Sequence, residues 1–169
     1  MIEPEDHGQA APEWLGSSAD TQTMLLAVAT AARTFLLSHW PRWHEKWGPP
    51  APFTLSQWTC VRSSLLLARA LERRGIRAAL RSGQPHHHQG FGLLTVDGWV
   101  SHAWVEAEGF VVDITADQFG NPPVVVTPVD HPIYRGAEDE AHQLRPTRTA
   151  VAAVDEIWLS WCRYADQQR

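Results

Sequence analysis

Residues 101–115 read SHAWVEAEGFVVDIT, and the fold turns on how this stretch bends. Apolar positions recur on both sides of Glu108-Gly109, which predicts two antiparallel strands joined by a tight turn. Successive strand side chains alternate faces, and residues directly opposed across a hairpin share a face. A turn over Glu106–Gly109 sets His102 against Asp113. A turn of Glu108-Gly109 alone sets His102 against Thr115, with Asp113 diagonal to it on the same face. Both registers let imidazole and carboxylate meet, whereas a turn of intermediate length separates them. Trp104 shares the His102 face in every case. A histidine beside a carboxylate is what general-base chemistry needs, because the acid sets the tautomer and stabilises the imidazolium. The plainer alternative is a buried hairpin that contains a histidine.

Working outward, "FGLLTV" precedes the stretch and meets "WVSHAWVE" at Asp97-Gly98, a strong hairpin signal. Ile76–Leu80 reads as a short strand, and "VVVT" before Pro128 as another. On the N-terminal side, Met24, Val28, Ala31 and Phe35 recur at helical spacing after a cap at Asp20 or Thr21, and Pro41 is expected to end that helix. His39–Pro52 reads as an aromatic loop. A second helix is expected from a Ser56 cap to a stop at Gly75, with Val61, Leu65, Ala68 and Leu71 as its buried stripe. Ala150–Tyr164 reads as a closing helix, and residues 137–149 are polar and ambiguous. Helices segregated from hairpin-connected strands predict an α+β fold with helices packed on an antiparallel sheet.

With 169 residues, 44% of them hydrophobic and 20% charged, the chain suits one domain with a real core. The expected organisation is a flexible tail over residues 1–19, in which Trp14 and Leu15 are free to dock, and a single domain over 20–169. The net charge of −5 and the lack of a basic run argue against a nucleic-acid surface. No apolar run of about 18 residues predicts a membrane span, and the acidic start does not read as a signal peptide. A cytoplasmic location is therefore expected, with Cys60 and Cys162 as free thiols. Oligomeric state is not legible.

Cys60 falls in the first turn of the second helix. There, backbone N–H groups lack intrahelical partners and the helix dipole favours a thiolate. The same N–H groups can hold an oxyanion. Cys60, His102 and Asp113 thus make a complete Cys-His-Asp set, against the alternative that Cys60 is a small buried hydrophobe.

The helix CVRSSLLLARALERRGIRA, followed by HAWVE and VDIT, resembles the transglutaminase-like cysteine peptidase superfamily over residues 54–120, and DITADQFG resembles its small bacterial members. The resemblance implies a papain-like fold and a thiol-dependent hydrolase without metal or organic cofactor. It implies Cys60 as nucleophile, His102 as base and Asp113 as orienter. The glutamine of the papain-type oxyanion hole has no counterpart at the matching place, where Thr54 stands. Gln57 and Gln118 are the substitutes, after the Cys60 backbone N–H.

Other residues are open to two readings. Trp40, Trp43 and Trp47 are expected to line a substrate groove or, alternatively, to cover the core, and Trp58 and Trp104 are further substrate-binding candidates. His86–His88 reads as a rim loop rather than a metal site. Asp117 is a rival for the acid role, and Cys162 is expected in core packing. The expected chemistry is acyl transfer at an amide bond of a peptide or protein, as a peptidase, amidase or deamidase rather than a transglutaminase. The alternatives are a catalytically inactive binding module that keeps the fold and, third, a metal-binding protein using the histidine loop.

Overall fold

The computed structural model describes residues 17–168. Helix α1 spans Ser18–Leu37, α2 Trp40–Trp47, α3 Cys60–Glu72 and α4 Arg148–Gln167. The strands are β1 Ala78–Gly83, β2 Gly92–Thr95, β3 Gly98–Val100, β4 His102–Ala107, β5 Phe110–Asp113, β6 Val125–Pro128 and β7 Tyr134–Arg135. The fold is α+β with antiparallel sheets. Residues 1–16 of the expected tail, with Trp14 and Leu15, lie outside the described residues. Residues 18–19 of the expected tail belong to α1, whose cap is Ser17 rather than Asp20 or Thr21. Asp20 closes the capping box from the N3 position instead.

Strands β1, β4, β5 and β6 form one sheet in the order β1-β4-β5-β6, and β3, β2 and β7 form a second in the order β3-β2-β7. The β4–β5 pairing sets Val105 opposite Val112 and Ala107 opposite Phe110. The turn is therefore Glu108-Gly109 alone, with both residues at positive φ of 51° and 82°. That backbone matches the twist of the flanking strands, which is why so short a turn closes the hairpin. The first hairpin turns one residue earlier than expected: Thr95 pairs with Gly98, leaving Val96-Asp97 as its loop.

One face of the larger sheet carries Val105, Ala107, Phe110, Val112 and Ile114 into the main core, against Leu25, Leu36, Leu66, Leu71 and Trp161 of the helices. The opposite face carries Trp104 and Val111 against Leu93 and Tyr134 of the smaller sheet. Gly83, paired with His102, lies where the two sheets cross; a Cβ there would stand 2.5 Å from Gly92 N.

Three expectations are corrected. Residues 39–52 are not all loop: Trp40–Trp47 is helical, and Pro41 opens α2 instead of ending α1, since the missing N–H of proline costs nothing in a first turn. Ser56 does not cap α3, which starts at Cys60 behind Thr59. Its buried stripe is also rotated, running through Ser63, Ser64, Leu66, Leu67, Ala68, Ala70 and Leu71, while Val61 and Leu65 are only half-buried. Among the described residues, no helix is long and apolar enough to cross a membrane.

Candidate active site

Cys60 is the first residue of α3. The cap residue Thr59 turns its hydroxyl backwards, donating to Ser56 O at 2.7 Å and accepting from Ser63 Oγ at 3.0 Å. Thr59 makes no side-chain cap, and among the described residues no side chain accepts from the first turn of α3, so its backbone N–H groups remain available as donors beside Cys60.

His102 opens β4, and Asp113 closes β5. Because the turn holds two residues, both side chains fall on the sheet face that carries Trp104 and Val111. His102 Nε2 lies 2.6 Å from Asp113 Oδ2, and neither side chain is exposed. The imidazole sits between Trp104, stacked at 6.3 Å, and Phe119, edge-on at 5.2 Å between centroids.

The carboxylate is held by more than the histidine. Thr115 donates to Oδ1 from its backbone N–H at 2.9 Å and from its hydroxyl at 3.2 Å. Tyr134, arriving on β7, donates its hydroxyl to Oδ2 at 3.0 Å. Burial by itself favours neutral forms of both members. The attraction of the opposite charges and these hydrogen bonds overcome it, so His102 is pushed up to about 10 and Asp113 is held below its ordinary value. Burial and the neighbouring Asp113 charge raise Tyr134, which keeps it a donor. Among the described residues, His102 Nδ1 has no partner at hydrogen-bonding geometry. Cys60 stands near enough to add to the forces that keep the ring protonated.

Beside Cys60 is a cleft of about 270 Å³ lined by Gln57, Trp58, Cys60, Ser101, Gln118 and Phe119. Both glutamines expected near the oxyanion are therefore at the cleft, with different roles for their amides. Gln57 Oε1 accepts from Phe53 N at 2.9 Å, while its Nε2 takes no partner among the described residues. Gln118 Oε1 accepts from Trp58 N at 3.2 Å, and its Nε2 donates to Thr115 O at 2.8 Å. The first is a free donor, and the second is a brace.

The tryptophans divide. Trp58 lines the cleft and is 67% exposed. Trp43 and Trp104 are core residues rather than groove residues, 2% and 0% exposed. Trp40 is buried with its Nε1 donating to Ser63 Oγ, and Trp47 packs against the core with the Arg62 guanidinium 4.9 Å from its ring. Helical spacing in α2 is what turned the pair at 40 and 43 inward.

Asp117 is not a rival for the histidine. It takes Arg33 Nη2 at 2.8 Å, Arg33 Nη1 at 3.0 Å and Ser56 Oγ at 2.5 Å. His86 packs against His87 and His142, with ring centroids 4.0 Å and 4.1 Å apart. Among the described residues, no group of three or more His, Cys, Asp or Glu is arranged to hold a metal ion. Cys162 is a half-buried free thiol in α4, packed against the core.

Sequence reasoning passed over Tyr134 and Thr115 as partners of Asp113. Thr115 was legible as the residue opposite His102 in the shorter register. Nothing local marks Tyr134, whose contact comes from the return of β7 along β2. No family model, curated protein or solved structure matches the chain.

Proposed function

We propose that the chain is a cysteine-dependent acyl-transfer enzyme that cleaves an amide bond of a peptide or protein, with Cys60 as nucleophile, His102 as acid and base, and Asp113 as orienter. The observation that carries this reading is that the helix-opening Cys60 lies within interaction range of His102, whose Nε2 is 2.6 Å from the buried Asp113 Oδ2. The papain-like, transglutaminase-like architecture belongs to the same proposal, supported by the residue pattern CVRSS, HAWVE and VDIT.

In this mechanism Cys60 gives its proton to the neighbouring His102, and the sulfur is the nucleophile. The sulfur attacks the amide carbon, a C–S bond forms, and the carbonyl electrons move to oxygen. The uncapped N–H groups of α3 face that developing charge, with the free Gln57 Nε2 as a further donor. The C–N bond then breaks as His102 passes its proton to the departing amine, leaving a thioester. Water, deprotonated by His102, displaces the sulfur and yields a carboxylic acid. An amine in place of water gives transamidation. Asp113 stays ionised throughout, since four donated hydrogen bonds stabilise its charge.

Iodoacetamide alkylation against pH tests the reading, using wild type, Cys60→Ala, Cys162→Ala and His102→Ala, with the labelled residue located by mass spectrometry. An ordinary free thiol is about 3% thiolate at pH 7, so a held thiolate can outpace it by up to about thirtyfold. Fast labelling of Cys60 near neutrality, slowed in His102→Ala, is expected. Labelling at the rate of a free thiol, unchanged in His102→Ala, rejects catalysis and favours a binding module with the same fold.

A further inference from the structure

We propose that Trp58 is the residue that selects the substrate, and that the cleft beside Cys60 takes an uncharged apolar or aromatic side chain of a peptide. The inference rests on the catalytic reading above. Trp58 has φ 60°, a left-handed conformation that a bulky L-residue adopts only at a cost. Core packing does not compensate that cost, because the residue is 67% exposed. Strain at an exposed aromatic residue, two positions before a nucleophile, fits a part of the molecule shaped for contact with something else.

The strained backbone is held in place. Gln118 accepts the Trp58 N–H through Oε1 and donates through Nε2 to Thr115 O. Thr115 in turn makes two hydrogen bonds to Asp113 Oδ1. One amide thus ties the loop that presents the indole to the turn that holds the acid of the His102–Asp113 pair. Gln118 is a positioning residue in this arrangement.

The lining decides what the indole would meet. Apart from the Cys60 thiol, the cleft residues Gln57, Trp58, Ser101, Gln118 and Phe119 carry no ionisable side chain. A lysine or glutamate side chain entering it loses water and finds no counter-charge among these lining residues. An apolar side chain gains contact with two aromatic residues. A volume of about 270 Å³ suits one large side chain.

Peptidyl chloromethyl ketones provide the probe. The Cys60 sulfur displaces chloride, so a C–S bond forms, the C–Cl bond breaks and chloride leaves with the electron pair. The set carries phenylalanine, leucine, glutamine, lysine or glutamate at the ketone residue or at the one before it. Labelling is followed by intact mass in the Cys162→Ala background, with and without Trp58→Gly or Trp58→Phe. Glycine accepts the backbone conformation at position 58 without the indole, so Trp58→Gly tests the side chain and not the fold. The phenylalanine and leucine probes should react about tenfold faster than the charged ones, a ratio that collapses in Trp58→Gly and survives in Trp58→Phe. Equal rates across the set, a preference for the glutamine or charged probes, or a ratio untouched by Trp58→Gly overturns the proposal. If His102-dependent alkylation by iodoacetamide persists alongside such a result, only the specificity is wrong. If it is absent too, the catalytic reading has failed and the proposal falls with it.

Discussion

Asp113 and Asp117 stand four residues apart in sequence, and both carboxylates are held by short hydrogen bonds. Asp113 holds a histidine, and Asp117 holds an arginine. An imidazole can give up a proton to a reacting partner and recover it, even when a carboxylate raises it to about 10 as here, whereas a guanidinium cannot. The first carboxylate is therefore suited to chemistry. The second is a clamp that fixes α1, through Arg33, to the loop before Cys60, through Ser56. Burial does not make the distinction, since Asp117 is itself only 18% exposed in its side chain. The partner makes it.

The largest expected effect separates the two directly. Asp113→Asn leaves a buried imidazole without its counter-charge and should cost about 3 kcal/mol in urea unfolding, together with most of the His102-dependent alkylation of Cys60. A loss under about 1 kcal/mol would show that the pair is not held as described.

The pH dependence sharpens the same contrast. The raised value of His102 means that its contribution is complete below its ordinary 6.5 and fades as pH rises towards about 10. The lowered value of Asp113 means that its contribution is complete above its ordinary 3.8 and fades as pH falls. The pair should therefore stabilise the fold fully between these two ordinary values, with stability declining above pH 6.5. That alkaline decline should disappear in Asp113→Asn, as read from urea midpoints across pH.

Arg33→Met should cost about 2 kcal/mol, reduced from the fully buried case because both partners touch solvent. The alkaline decline should remain, since arginine does not titrate there. Its disappearance would mean that the two carboxylates act as one network. The smallest effect is expected from Tyr134→Phe, about 1 kcal/mol for one of four hydrogen bonds to Asp113. A change as large as that of Asp113→Asn would make the tyrosine, rather than the histidine, the main support of the carboxylate.

The tryptophans carry a related lesson. Trp43 and Trp58 both lie before the cysteine helix and look alike as large apolar residues. Membership of α2 turns the first into the core, while a left-handed backbone turns the second outwards. The helical pattern of residues 40–47 was masked by Pro41 and the clustered aromatics, so a loop was the local reading. The left-handed conformation at a tryptophan runs against its own preference and leaves no trace in sequence.

What the sequence determined by itself is local. Glu108-Gly109 between alternating strands marked a turn, in two registers that both carry His102 and Asp113 to one face, and the pairing of Val105 with Val112 selected the shorter. The apolar periodicity after Cys60 marked α3, and Gly75, at φ 76°, its stop. These depend on neighbours within a few residues, where backbone preferences act directly. Only the tertiary structure decided which aspartate meets which cation, where the second sheet lies and what else holds Asp113. Tyr134 reaches Asp113 across 21 positions, Ser56 reaches Asp117 across 61 and Arg33 reaches it across 84. Such contacts form only when the whole chain has packed, because closing those loops costs entropy that the buried core, not the pair itself, must overcome.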